Sequence, residues 1–101
     1  MSEVEPGRVS SVKAGSEREQ TRGWSYAVSV WWSNGRVSEH EVTLSHHDYE
    51  HWCGGVEPPS RVAERAVRIG AEVLGAGLAG RFDLSQLRRR VEGFDVTMRE
   101  G

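Results

Sequence analysis

Gly23-Trp24-Ser25-Tyr26-Ala27-Val28-Ser29-Val30-Trp31-Trp32-Ser33-Asn34-Gly35-Arg36-Val37-Ser38-Glu39-His40-Glu41-Val42-Thr43-Leu44 is the stretch whose reading decides the fold. Trp24, Tyr26, Val28, Val30 and Trp32 alternate with smaller or polar residues, which is the period of a half-buried strand. Ser33-Asn34-Gly35 is a hairpin signal, and Arg36 to Leu44 supplies the returning strand. Parity decides the loop. A two-residue Asn34-Gly35 loop pairs Trp32 with Val37, Val30 with Glu39 and Val28 with Glu41, setting two carboxylates on the apolar face. A three-residue loop, Ser33 to Gly35, pairs Trp24 with Leu44, Tyr26 with Val42, Val28 with His40 and Val30 with Ser38. The apolar residues then share one face, and Glu39 and Glu41 share the other with Ser29 and Ala27. Because a one-residue slip moves every side chain across the sheet, the three-residue loop is expected, with Gly35 left-handed in a G1 bulge.

N-terminal to the hairpin, residues 1–22 contain Pro6, Gly7, Gly15, four serines, four acids and four bases. Val4, Val9 and Val12 are the only sizeable apolar groups there. Such composition predicts a disordered leader, because it buries too little surface to offset the entropy of ordering it. C-terminal to the hairpin, Ser45 reads as the N-cap of a helix, with Asp48 three residues later approximating a capping box. Tyr49, Trp52 and Cys53 mark its inner face, and Gly54-Gly55 ends it. Pro58 and Pro59 open a second helix. Val62, Ala63, Ala66, Val67, Ile69, Val73 and Leu74 line one side of it, and Glu64 is placed to pair with Arg68 on the other. Gly75 to Gly80 breaks this helix and reads as a linker. Asp83 and Gln86 frame a third helix start, with Phe82 and Leu87 as its staple. Phe94, Val96 and Met98 then alternate as a third strand.

The 101 residues are 37% hydrophobic and 28% charged, with a net charge of -2. That is an ordinary globular balance. It excludes a chain-wide basic footprint for nucleic acid and an acidic tail protein. No apolar run approaches a membrane span, and the N-terminus lacks the pattern of a secretory signal. A single cysteine forms neither an internal disulfide nor a cysteine metal cage, so the cytoplasm is the expected location.

Four features invite chemistry. His47 and His51 lie four residues apart on the first helix, so both imidazoles can face one metal, as in helical zinc sites. A hydrolase-like zinc centre there needs a third ligand and a base that the sequence does not specify; exposed histidines on a polar helix are the plainer reading. Cys53 beside His51 or His46 suggests a nucleophile and base, against the plainer role of a small buried hydrophobe. Arg88-Arg89-Arg90 suits either phosphate contact or the dipole at a helix C-terminus. Segment charges of 0 for residues 1–22, -4 for 23–57 and +2 for 58–101 are too even for a typical nucleic-acid surface. Finally, Trp31 points away from the apolar face beside Val37, and Trp32 sits at the hairpin tip near Arg36. An aromatic on an open sheet face is an anchor for a partner or a second copy, unless another element covers it.

The run from the hairpin through Leu44-Ser45-x-x-Asp48-Tyr49, Gly54-Gly55, a proline-started helix and Phe82-Asp83-Leu84-Ser85 resembles a scattered group of small bacterial proteins without assigned activity. The resemblance covers about residues 24 to 90. It implies a compact bacterial cytoplasmic domain and carries over no catalytic residue. The His46-His47 pair and the Phe94 to Met98 segment depart from that group.

Together these readings predict an α+β domain over residues 23–99, ordered β-β-α-α-α-β, with helices on one face of a small antiparallel sheet. Domains of this size bury only about 60% of their unfolded surface, so dimerisation through the open face or edge would relieve a marginal core. The expected function is a non-catalytic protein-interaction module or homodimer using Trp31, Trp32 and Val37, with no cofactor and no membrane partner. The alternatives are the zinc site at His47 and His51 and a nucleic-acid contact through Arg88, Arg89 and Arg90.

Overall fold

The hairpin forms in the register that parity selects. In a computed structural model, which describes residues 8–100, strand β2 (Gly23–Trp32) pairs antiparallel with β3 (Val37–Ser45). Trp24 lies opposite Leu44, Tyr26 opposite Val42, Val28 opposite His40 and Val30 opposite Ser38. Trp32 N–H donates to the Arg36 carbonyl at 2.8 Å, which closes a loop of Ser33 to Gly35. Gly35 has φ +89°, the left-handed conformation that the bulge needs.

The expected leader is instead an edge strand. β1 (Val9–Gln20) pairs antiparallel with β2, so the domain begins well before Gly23. A strand with one solvated face needs few apolar groups, and here Val9, Val12 and Ala14 supply them by packing against the core. Composition over the whole segment hides that period-two subset. Pairing also satisfies the backbone groups that β2 would otherwise leave open. The part of the leader reading that concerns Met1 to Gly7 lies outside the described residues.

Helix α1 (His46–Cys53) starts and stops as its signals require. Ser45 Oγ accepts the Asp48 N–H at 3.0 Å, and Gly54 at φ +62° ends the helix. Helix α2 (Pro59–Leu74) follows Pro58 and buries Val62, Ala63, Ala66, Val67, Gly70 and Ala71 against β1 and β2. Val73, expected on that face, is exposed instead. Glu64 does not pair with Arg68; its Oε2 accepts the Ala14 N–H of β1 at 2.9 Å.

Two corrections fall in the C-terminal third. Arg81–Asp83 forms β4, which pairs parallel with β3, so the four-stranded sheet in the order β1-β2-β3-β4 is mixed. Asp83 still caps as expected, accepting from Ser85 N–H, but it opens a 3-10 turn (Leu84–Gln86) before the short helix α3 (Leu87–Arg90). Phe94–Glu100 is helix α4, not a strand. Phe94 and Met98 satisfy helical i, i+4 spacing as well as alternation, and both are buried while Val96 between them is exposed. The order is therefore β-β-β-α-α-β-α-α. One core joins the inner faces of β2 and β3 to α1, α2 and α4, with Trp52 edge-on to Phe94 at 5.4 Å. Among the described residues no helix is long and apolar enough to cross a membrane.

Candidate functional site

Among the described residues the helices pack on one side of the sheet, and none covers the other. Four rows of residues cross that open side, set by strand register. Ser11, Trp31 and Val37 form the first, Lys13, Ser29 and Glu39 the second, and Gly15, Ala27, Glu41 and Arg81 the third. Trp31 is 39% exposed and Val37 50%, and they are directly paired neighbours. Arg18, Ser25, Thr43 and Asp83 form the fourth, in which Ser25 is buried and Arg18 exposed. Trp32 does not share this surface. It packs against the core on the helix side, where its Nε1–H donates to Ser38 Oγ at 2.9 Å.

The sheet edges are poorer docking sites than the face. β1 breaks register between Val9 and Ser11 and again between Gly15 and Arg18, with Ser16 at φ +50°. Glu64 takes the Ala14 N–H, so an incoming strand would meet an interrupted ladder. β4 at the far edge has only three residues.

Of the arginine run, Arg88 is committed to the fold. Its Nη2 donates to Asp48 Oδ1 at 2.7 Å and its Nε to Asp95 Oδ1 at 2.9 Å. Asp95 Oδ1 also accepts Trp52 Nε1–H at 2.7 Å, and the guanidinium lies 5.3 Å from the Trp52 ring centre. This network joins α1, α3 and α4 around a buried Asp48. Burial alone would lower the Arg88 pKa, but the Asp48 and Asp95 bonds and charges outweigh it and raise the value. Arg89 and Arg90 remain exposed, so the structure does not gather the three into one phosphate-binding patch.

Two carboxylates fold below their ordinary range. Burial pushes Asp95 up, but bonds from Trp52 and Arg88 and the Arg88 charge hold it down. Asp83 is likewise pushed up by burial and held down more strongly by Ser85, by Thr43 at 2.7 Å and by the Arg88 charge. A depressed folded-state pKa adds stability above the unfolded value, near 3.9, that is lost as pH falls through the folded value. Denaturation midpoints should therefore hold level down to about pH 5 and decline below it. Asp83→Asn and Asp95→Asn should each flatten that acid limb; an unchanged limb in both variants contradicts the assignment.

The remaining sequence candidates stay apart. His47 and His51 lie on one exposed face with rings parallel within 3° and 6.4 Å between centres. Among the described residues no third His, Cys, Asp or Glu joins them in a metal-binding group. His46 packs edge-on to Trp24 at 4.7 Å. Cys53 is half-buried against the core beside Tyr49, whose hydroxyl donates to the Glu57 carbonyl. Burial, then the neighbouring Cys53, Glu50 and Glu57, raise the Tyr49 pKa and keep it a donor.

One polar cluster escaped the sequence reading. His40 is buried on β3, with Nδ1 2.6 Å from the Ala79 carbonyl and Nε2 2.8 Å from Ser38 Oγ. The carbonyl only accepts, so Nδ1 carries a proton toward it, and Nε2 shares a hydrogen bond with the Ser38 hydroxyl, which accepts from Trp32. A hydroxyl, an imidazole and an orienting group in this order are the elements of an activated nucleophile. They line a cleft of about 340 Å³ with Asn34, Arg36 and Leu78. Every member of the chain of bonds is already partnered, and the bonds tie β3 to the segment entering β4, so the cluster is explained as structure. The parity that set His40 opposite Val28 already required buried partners for it. The chain matches no protein-family model, no curated protein and no solved structure.

Proposed function

We propose that this protein is a non-catalytic interaction module that docks through the open face of its sheet, and that it takes a second copy of itself as partner. The observation that carries this reading is the Trp31–Val37 pair, two large apolar side chains adjacent on a face that no helix among the described residues covers. Tryptophan is enriched among the residues that dominate binding energy, because burying its ring in a partner removes a large apolar area from water. Small residues across the same face (Ser11, Ser29, Ala27 and Gly15) let a partner approach closely. The zinc and nucleic-acid readings have no comparable support, since among the described residues no third ligand joins His47 and His51, and Arg88 is engaged within the fold.

The first three rows make a small interface, in the size class of weak and transient complexes. Sedimentation velocity on the full chain should therefore show a concentration-dependent dimer with a dissociation constant on the order of micromolar. Trp31→Ala should be monomeric throughout, with an unchanged far-UV spectrum, because the side chain contributes little to the core. A wild-type chain that stays monomeric up to about 200 μM, far above such a constant, refutes self-association.

A further inference from the structure

Resting on that reading, we infer that the two copies meet face to face about a two-fold axis running along β2, with Lys13 of each copy opposite Glu39 of the other. The register sets this geometry. Lys13, Ser29 and Glu39 occupy one row at right angles to the strands, with the cation on β1, the hydroxyl on the central β2 and the carboxylate on β3. Rotation by a half-turn about an axis parallel to β2, between the two sheets, lays β1 of one copy over β3 of the other. Lys13 then faces Glu39 twice, once on each side of the axis. The same rotation sets Ser11 over Val37 and Gly15 over Glu41, and brings Trp31 against its own copy near the axis.

The other in-plane axis, at right angles to the strands, is disfavoured by charge. It lays β3 over β3 and sets Glu39 and Glu41 against the same two residues of the partner. Like charges facing across an interface select against that arrangement. The charges that remain unpaired point the same way. Glu41 is bound within its own chain by Arg81 at 3.0 Å, whereas among the described residues Glu39 accepts only the Ser29 hydroxyl, also at 3.0 Å. Lys13 is the one lysine of the chain and is exposed, with no ion pair among the described residues. Sheets packed face to face stand roughly 10 Å apart, a gap that Lys and Glu side chains span while Ser29, Ala27 and Gly15 leave room between them.

Charge reversal tests the axis separately from the face. Lys13→Glu and Glu39→Lys should each raise the dimer dissociation constant roughly tenfold, because each places two like-charge pairs across the axis. An equimolar mixture of the two variants should recover near wild-type affinity, since the heterodimer has attractive pairs on both sides. Zero-length carbodiimide coupling of the wild type should join Lys13 to Glu39 between chains as an amide, with loss of water. Suppose the wild type dimerises and Trp31→Ala abolishes it, yet both reversals dimerise normally and their mixture gains nothing. The open face is then the interface, and the axis assigned here is wrong. If the wild type is monomeric, the face and the axis fall together.

Discussion

Arg88→Ala is expected to cost about 2–3 kcal/mol of folding stability, below the full cost of breaking a buried ion pair from one side, because Asp48 is buried while the Arg88 side chain is a third exposed. For a domain of this length such a loss corresponds to a fall in melting temperature on the order of 10–20 °C. The reason lies in what the substitution leaves behind. The Asp48 side chain is 5% exposed and would lose its cationic partner, while Asp95 would lose two bonds from the same guanidinium. Trp52 would also lose the cation over its ring. Arg88→Lys should recover only part of the loss, because one ammonium cannot reach both carboxylates as the planar fork does. Asp48→Asn in the Arg88→Ala background should restore some stability by replacing the unpartnered carboxyl with a neutral amide. Arg89→Ala and Arg90→Ala should stay within about 0.5 kcal/mol of wild type, as exposed substitutions do. Urea denaturation of the set separates these outcomes. Equal effects at all three arginines would falsify the network.

Arg88 also shows why parts of this fold were hidden from the sequence. Its run of three arginines reads as one basic feature, yet a helix points successive side chains in different directions, and only Arg88 meets Asp48 from forty residues away. Contacts of that range leave no local spacing to read. The hairpin register was legible because parity tests every residue of both strands against a single hydrophobic face. The caps at Ser45 and Gly54 were legible because their bonds close within a few residues. β1 was not, since its inward set of Val9, Val12 and Ala14 is sparse and its partner strand supplies the order. At the C-terminus, Phe94 and Met98 fit both periods, and the exposure of Val96 distinguishes them only once the fold exists. On the open face, Trp31 and Val37 follow from parity alone. The row that carries Lys13 required β1, so the charge pattern across the face became visible only with the third strand in place.

Gly23→Ala should be the most damaging of the glycine substitutions. A Cβ at Gly23 would stand 1.9 Å from the Leu44 carbonyl oxygen, 2.8 Å from Ser45 Cα and 2.9 Å from the Leu44 carbonyl carbon. All three are backbone atoms of β3, so no flexible side chain can swing aside. Relief requires the first pair of the β2–β3 ladder, Gly23 with Ser45, to move apart. Overpacking commonly costs about 1–3 kcal/mol, and a clash against backbone belongs at or above the top of that range. Gly80→Ala is the matching control, because no atom lies within 4 Å of its added carbon and its φ is not positive. It should be neutral within about 0.5 kcal/mol. The damage at Gly23 should also spread in a defined direction. Ser45, displaced from Gly23, is the residue whose hydroxyl caps α1, and the His46 N–H that follows it donates to the Arg22 carbonyl at 2.7 Å. Opening this end of the ladder therefore removes the cap and frees the helix start together. Amide exchange should quicken at His46 and Asp48 in Gly23→Ala while Val28 and Val30, deep in the sheet, stay protected. Uniform quickening across the sheet would instead mean that the ladder opens as a whole and that Gly23 does not couple it to α1.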